Sequence, residues 1–436
     1  MKTALSRRQF LLGSAALPAL GANPRKPNIL LILADDLGYG DMSCYGNTSI
    51  HTPNLDRLAA GGVRFTDFHA SGPVCSPTRA GLMTGRYQQR CGITEVITAA
   101  GSRQNGLDPS TQVTFAAQLK QAGYATGIFG KWHLGYQPKF NPDKHGFDRF
   151  RGYVSGNVDY FSHVDQAGFA DWWDNSNLSP EEGYTTDLIT RHGIDFIEAN
   201  RHRPFCLYLP FETVHAPYQG PNDKGQRVVG GTYNEAGNAS NVELTYKDMI
   251  ERMDANIGKV LATIKRLGLE KDTFVFYCSD NGATPRGSNG PLRGFKGSVW
   301  EGGHREPAIA YWPGKISPGR VCHEPAICMD LFPTFMELTG AKTPDRKLDG
   351  VSLAPLLLRN GTLGERTLFW AYMKQRAVRS GKWKLVIGAP EAGPSPCLFD
   401  LSNDLGEKHD VAQQFPDVVR NLVAELRAWE REVGAV

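Results

Sequence analysis

The 436-residue sequence predicts an α/β sandwich on a mostly parallel sheet, followed by a smaller α+β unit. Three observations carry this prediction. Short apolar runs rich in branched residues recur through residues 25–343, and each gives way at once to ionisable or amide side chains. Amphipathic helical segments lie between these runs, as crossovers between parallel strands require. After Pro344 the texture changes to shorter strand-like runs and a last helix, so residues 344–436 read as a C-terminal α+β subdomain.

The chain begins with a twin-arginine pattern, Ser6-Arg7-Arg8-Gln9-Phe10-Leu11, an apolar run from Leu11 to Leu20, and small residues around Gly21. Residues 1–22 therefore read as a cleaved export signal, with an uncleaved N-terminal anchor as the alternative. The run is too short to span a bilayer. The expected mature protein is exported by the twin-arginine machinery to the periplasm or beyond, with no membrane span. Lys2, Arg7 and Arg8 are the signal's only charges, so its removal erases the formal excess of +3. A neutral mature chain has no global attraction for an anion, and charge selection must come from a local site. No charge run or repeat points to nucleic acid.

Residues 28–34 form an apolar run too short for a typical buried helix and suited to a strand covered on both faces. Asp35 and Asp36 follow it. Residues 125–130 lead to Lys131 and His133, 205–211 to His215, and 273–279 to Asp280 and Asn281. Sites in open parallel sheets collect beyond the carboxyl ends of strands, so these segments are expected to meet. Between them, residues 53–60 read as a helix opened by Pro53 and stopped by Gly61-Gly62. Residues 244–267 place Ile250, Met253, Ile257, Val260, Leu261 and Ile264 at helical spacing, a core stripe. In the C-terminal part, residues 367–372, 383–387 and 398–400 read as strands. The last helix, from Asp417, lines Val419, Leu422, Leu426 and Trp429 along one face.

Cys75-Ser76-Pro77-Thr78-Arg79 reads C-x-P-x-R. It stands in one order with Asp35-Asp36, Gly130-Lys131-Trp132-His133, His215-Ala216-Pro217, Asp280-Asn281 and Gly294-Phe295-Lys296-Gly297. Together these resemble the formylglycine-dependent, type I sulfatases, closest in appearance to arylsulfatases and N-acetylgalactosamine-6-sulfatases; a single five-residue match would carry much less. The resemblance implies an alkaline-phosphatase-like α/β/α sandwich with a large mostly parallel mixed sheet. It implies that a maturation enzyme oxidises Cys75 to formylglycine, whose hydrated aldehyde attacks sulfur, with Arg79 holding the modified side chain. Asp35, Asp36, Asp280 and Asn281, with residue 75, would hold calcium. Lys131 and Lys296 would offset charge on the sulfuryl oxygens, His133 would act as base in sulfate release, and His215 with Lys296 would protonate the leaving alcohol. With Cys75 set aside, seven cysteines remain of eight, so no dense disulfide framework is expected.

The residue types agree with this chemistry. Asp and Asn oxygens are hard ligands suited to calcium or magnesium and not zinc. A short helix from Cys75, with Pro77 near its first turn, would turn an N-terminus toward an anion. Taken singly, Asp-Asp reads as a solvated loop end, Asp-Asn-Gly as a turn, and a histidine after a strand as a carbonyl's partner. His51, His69, His304 and His323 lack such placement and read as structural. Residues 156–163, with Trp172 and Trp173, mix aromatic faces and polar groups; Asp159, Tyr160, His163, Trp172 and Trp173 suit a sugar ring or, equally, a buried aromatic cluster. The expected substrate is a sulfated carbohydrate or small sulfate ester. A phosphomonoester or phosphonate-ester hydrolase on the same scaffold, or an inactive glycan-binding protein, are the alternatives.

Overall fold

The computed structural model describes residues 26–99 and 101–435; the expected twin-arginine signal and its expected cleavage site lie outside them. An eleven-stranded mixed sheet forms the centre. Asn28–Ala34 pairs in parallel with Phe205–Pro210 on one side and Thr273–Ser279 on the other. Ala125–Lys131 extends the parallel set beside Phe205–Pro210, and Arg149–Tyr153 follows it. Arg305–Tyr311 is antiparallel, wedged between Thr273–Ser279 and Val63–His69.

The central strand shows why this sheet needs two layers of cover. All seven residues of Asn28–Ala34 are buried. Side chains alternate between faces, so Ile29, Leu31 and Leu33 enter one core while Leu30, Ile32 and Ala34 enter the other. The helices Pro53–Ala60, Thr185–Ala199 and Val242–Arg266 cover the second face, and Cys75–Thr84, Phe115–Gln121 and Leu331–Thr339 the first. Val242–Arg266 begins two residues before the expected start because Asn241 caps it, its side chain accepting the Leu244 N–H at 3.1 Å.

The C-terminal sheet is antiparallel, in the order Thr367–Tyr372, Gln375–Ser380, Trp383–Ile387, Cys397–Asp400. The helix Pro416–Val433 covers it with Leu422, Leu426 and Trp429. Its apolar residues belong to the same core as the first face of the large sheet. A buried polar seam joins the two sheets: Lys384 contacts Glu301 at 2.8 Å and Glu407 at 2.9 Å, and Trp370 donates to Ala70 O. His69 and His304 lie in this seam with their Nδ1 atoms 3.0 Å apart. None of the eight cysteines is in a disulfide. Among the described residues no helix is long and apolar enough to cross a membrane.

Candidate active site

The strand ends meet. Asp35 and Asp36 continue directly from Asn28–Ala34, and the Asp36 N–H reaches Asp280 Oδ1 at 3.3 Å. Asp36 adopts a left-handed φ of 61°, which turns the chain sharply at the strand's end. Cys75 stands at the first turn of its helix, 2% exposed. One ligand atom each from Asp35, Asp36, Cys75 and His215 lie within 4.8 Å of one another.

Three cations balance three carboxylates here. Lys131 pairs with Asp35, Lys296 with Asp36 at 2.8 Å, and Arg79 with Asp280 at 2.8 Å. Burial opposes the charge on both lysines, yet Asp35 beside Lys131 and Asp36 beside Lys296 hold both above the usual lysine range. Burial likewise pushes the Cys75 thiol up to about 11, against the pull of Lys131 and Lys296. Asn281 donates to Asp36 Oδ1 at 2.7 Å. Two oxygens in this group, Asp35 Oδ1 and Asn281 Oδ1, are buried with no hydrogen-bond partner.

The two histidines are set in opposite tautomers. His133 Nε2 bonds Ile97 O at 2.9 Å, which requires an N–H there and leaves the lone pair on Nδ1, buried and unpartnered. Burial, then Lys131, holds its pKa well below the ordinary value, so the ring is neutral. His215 spends its Nδ1–H on Ala216 O at 2.6 Å, and its Nε2 lies 3.4 Å from Glu235 and 3.8 Å from Asp36. Burial and then Lys296 lower it to about 4.

These groups open onto a hollow of about 630 Å³ lined by Cys75, His133, His215 and Lys296 at its base. Asn157, Gln166, Tyr136, Glu235 and Tyr372 form its walls. Gly156 also lines it, and a Cβ there would come within 2.9 Å of His133 Cε1, so the imidazole occupies the place of a side chain.

The five residues expected to face a sugar do not line this hollow. Asp159 spends its carboxylate on the N–H groups of Phe161, Ser162, Gln226 and Arg227. Tyr160 is buried and donates to His215 O at 2.9 Å. His163 stacks on Trp172 with ring centroids 4.4 Å apart, and Trp172 donates to Glu181. Trp173, held by Asp171 at 2.6 Å, is partly exposed on a neighbouring hollow. Tyr160 and Trp172 thus spend their polar groups inside the protein, and His163, stacked on Trp172, is buried with its Nε2 unpartnered.

The wall residues Asn157 and Gln166 lie in or next to the same segment; Tyr372 comes from the C-terminal sheet. A glycine beside an amide, Gly156-Asn157, is the one local signal for them.

The sulfatase family model matches residues 27–341, and the model for the C-terminal part of N-sulphoglucosamine sulphohydrolase matches residues 295–432. The chain belongs to the sulfatase family. It is therefore a sulfuric ester hydrolase. Among relatives of this sulfatase, the rat (Rattus norvegicus) N-acetylgalactosamine-6-sulfatase is 37% identical, over 88% of this chain and 76% of the relative. Arylsulfatase A of Bos taurus is 38% identical, over 95% and 89%. Among solved structures, Ps i-CgsB in complex with k-i-k-neocarrahexaose superposes with a TM-score of 0.83 at 30% identity, covering 93% of each chain. The large mixed sheet with its C-terminal antiparallel sheet is thus the alkaline-phosphatase-like sulfatase architecture. A phosphonate monoester hydrolase of Agrobacterium radiobacter, 21% identical with a TM-score of 0.68 and covering 94% of this chain and 96% of its own, shares the fold.

Proposed function

We propose that this sulfatase removes sulfate from a carbohydrate, with Cys75 matured to formylglycine and calcium held by Asp35, Asp36, Asp280, Asn281 and residue 75. The observation that carries the reading is the gathering of Cys75, Asp35, Asp36 and His215 within 4.8 Å beneath an open hollow. The two buried oxygens without partners, Asp35 Oδ1 and Asn281 Oδ1, support the fit of a hard cation, and an all-oxygen donor set from the protein suits calcium. The named glycan relative and the carrageenan-bound neighbour support a sugar substrate.

When present, the matured side chain supplies a nucleophilic hydrated aldehyde, and the cation offsets charge on the ester's oxygens. The chain's own groups do the rest. Lys131 and Lys296 present fixed ammonium groups where charge develops on the sulfuryl oxygens. Arg79 holds the helix turn that carries residue 75 against Asp280. His133, neutral with its lone pair on Nδ1, accepts a proton from residue 75 as sulfate departs. His215 Nε2 and Lys296 face the leaving group. Lys296, held above the usual lysine range beside Asp36, carries a proton at neutral pH, and His215 presents its Nε2 in the same hollow. Residues 1–22 are read as the twin-arginine export signal, a formylglycine-generating enzyme as the maturation partner, and residues 25–343 and 344–436 as catalytic domain and subdomain.

Mass spectrometry of active protein from a maturation-competent host tests the nucleophile. An aldehyde at position 75 is expected, and active enzyme bearing only the thiol contradicts it. Hydrolysis of defined sulfated mono- and disaccharides, run beside matched phosphate and phosphonate esters, tests the substrate; faster turnover of the phosphorus esters would favour the rival chemistry.

A further inference from the structure

We propose that a second hollow beside the catalytic one is a subsite for a neighbouring, sulfated sugar of an oligosaccharide, with Arg103 as its anion contact. The proposal rests on the carbohydrate reading above and extends it from a sugar to a chain of sugars.

The second hollow has a volume of about 580 Å³, and Tyr136 lines both it and the catalytic hollow. One turn walls both spaces: Gln166 and Ala167 face the catalytic side, and Phe169 and Ala170 the other. That turn is held firmly. Asp165 Oδ1 accepts the N–H groups of Ala167 at 2.9 Å and Phe169 at 2.8 Å, and Gly168 takes the left-handed φ of 83° that closes it. Phe169 is nevertheless 49% exposed and Leu178, across the hollow, 51%. Two large apolar side chains held out to solvent on one concave surface, with Trp173 between elements of the same wall, make a shelf suited to the apolar face of a pyranose ring.

The charges on this shelf are of one sign. Arg103 and Lys139 line it, and no carboxylate does. The Arg103 guanidinium lies 4.3 Å from the Phe169 ring centroid and 5.4 Å from that of Tyr136. Clamped by two rings, it is pre-oriented at little further entropic cost. Its Nη1 is buried with no hydrogen-bond partner. Asp165, an acid on which Arg103 acts, has its Oδ1 committed to the turn's backbone. An arginine fixed between aromatic faces with an unused N–H is a donor waiting for an acceptor, and a sulfate group takes a guanidinium's paired N–H groups well. A catalytic hollow and a sugar shelf divided by one tyrosine fit an oligosaccharide that crosses Tyr136, with the scissile ester at Cys75 and a second sulfate at Arg103.

The test is binding by calorimetry to the full-length Cys75→Ala protein, which cannot turn substrate over, using di- and tetrasaccharides of chondroitin 6-sulfate and of ι-carrageenan. For at least one glycan the tetrasaccharide should bind about tenfold more tightly than the disaccharide. Arg103→Ala and Phe169→Ala should each abolish that gain, and Arg103→Lys should keep part of it. Equal affinities for both lengths, no binding of any of the four, a gain that survives Arg103→Ala, or an equal loss for both lengths in the variants would overturn the subsite. Hydrolysis of 4-methylumbelliferyl sulfate and sulfated disaccharides by the matured wild type is measured separately: its failure would count against the proposed function, and its success beside a flat length dependence would count against the subsite alone.

Discussion

Arg79 donates from both Nε and Nη2 to a single oxygen of Asp280, at 3.0 and 2.8 Å, across 201 positions of sequence. The arrangement leaves the other Asp280 oxygen facing the Asp36 N–H and ties the helix that carries Cys75 to the end of Thr273–Ser279. Arg79 also donates to Lys131 O at 3.1 Å. One buried guanidinium therefore sets the spacing of three strand ends and the candidate nucleophile.

Because the carboxylates are the hard donors of this group, Asp35→Asn should lower bound calcium and activity together. A loss of at least about a hundredfold in kcat/KM is expected. Metal content and turnover are measured on one preparation whose fold is checked by circular dichroism. Full activity in exhaustively chelated, metal-free enzyme would remove calcium from the reading.

Cys75→Ser should stop after one turnover wherever serine is not itself oxidised. Serine Oγ loses its proton, forms a bond to sulfur and releases the alcohol, leaving a sulfate ester on residue 75. With no second hydroxyl on that carbon, the ester awaits slow attack by water. A stable mass increase of one sulfuryl group on the residue-75 peptide is expected, with at most one product per enzyme. Sustained turnover by verified serine enzyme would make the geminal diol unnecessary.

Lys384→Met should cost about 3–5 kcal/mol, because it leaves Glu407 in the buried seam between the two sheets without its cation and leaves Glu301 with Arg305 in place of two close cations. Burial already pushes Glu407 up to about 7. Adding Glu407→Gln should therefore recover part of the loss. Denaturant unfolding of the single and double variants checks this, and a single variant as stable as wild type would show that the seam contributes little.

Stability should fall as pH is lowered from 6.5 to 4. Burial lowers both His145 and His163 to about 4, so over that interval the unfolded chain binds protons that the folded one refuses. Each shift is worth on the order of 3 kcal/mol once pH is below the folded value. Glu181, lowered to about 2 despite burial by Trp172 and His192, works in the next window and gives up its contribution between about pH 4.5 and 2. Urea midpoints at pH 7 and pH 4.5 measure the first step; equal midpoints would show that neither histidine is held neutral.

The sequence by itself determined the strands whose two faces are both buried and the polar residues at their ends. Asn28–Ala34 and Thr273–Ser279 can be read directly because continuous apolar runs of that length have few other uses, and Asp35, Asp36, Asp280 and Asn281 follow from chain continuity. Arg305–Tyr311 escaped the same reading. It opens Arg-Glu-Pro, and those charges are acceptable inside the sheet only because Arg305 meets Glu301 and Thr66 O while burial pushes Glu306 well above the usual carboxylate range. Tertiary structure alone decided which polar and aromatic residues line the hollow. Asp159 and Asn157 are two positions apart, yet one is consumed by backbone N–H groups and the other lines the hollow. Tyr372 reaches that hollow from the far end of the chain. Local spacing encodes where a strand stops; which way a loop side chain points depends on what packs behind it, and that partner lies elsewhere in the sequence.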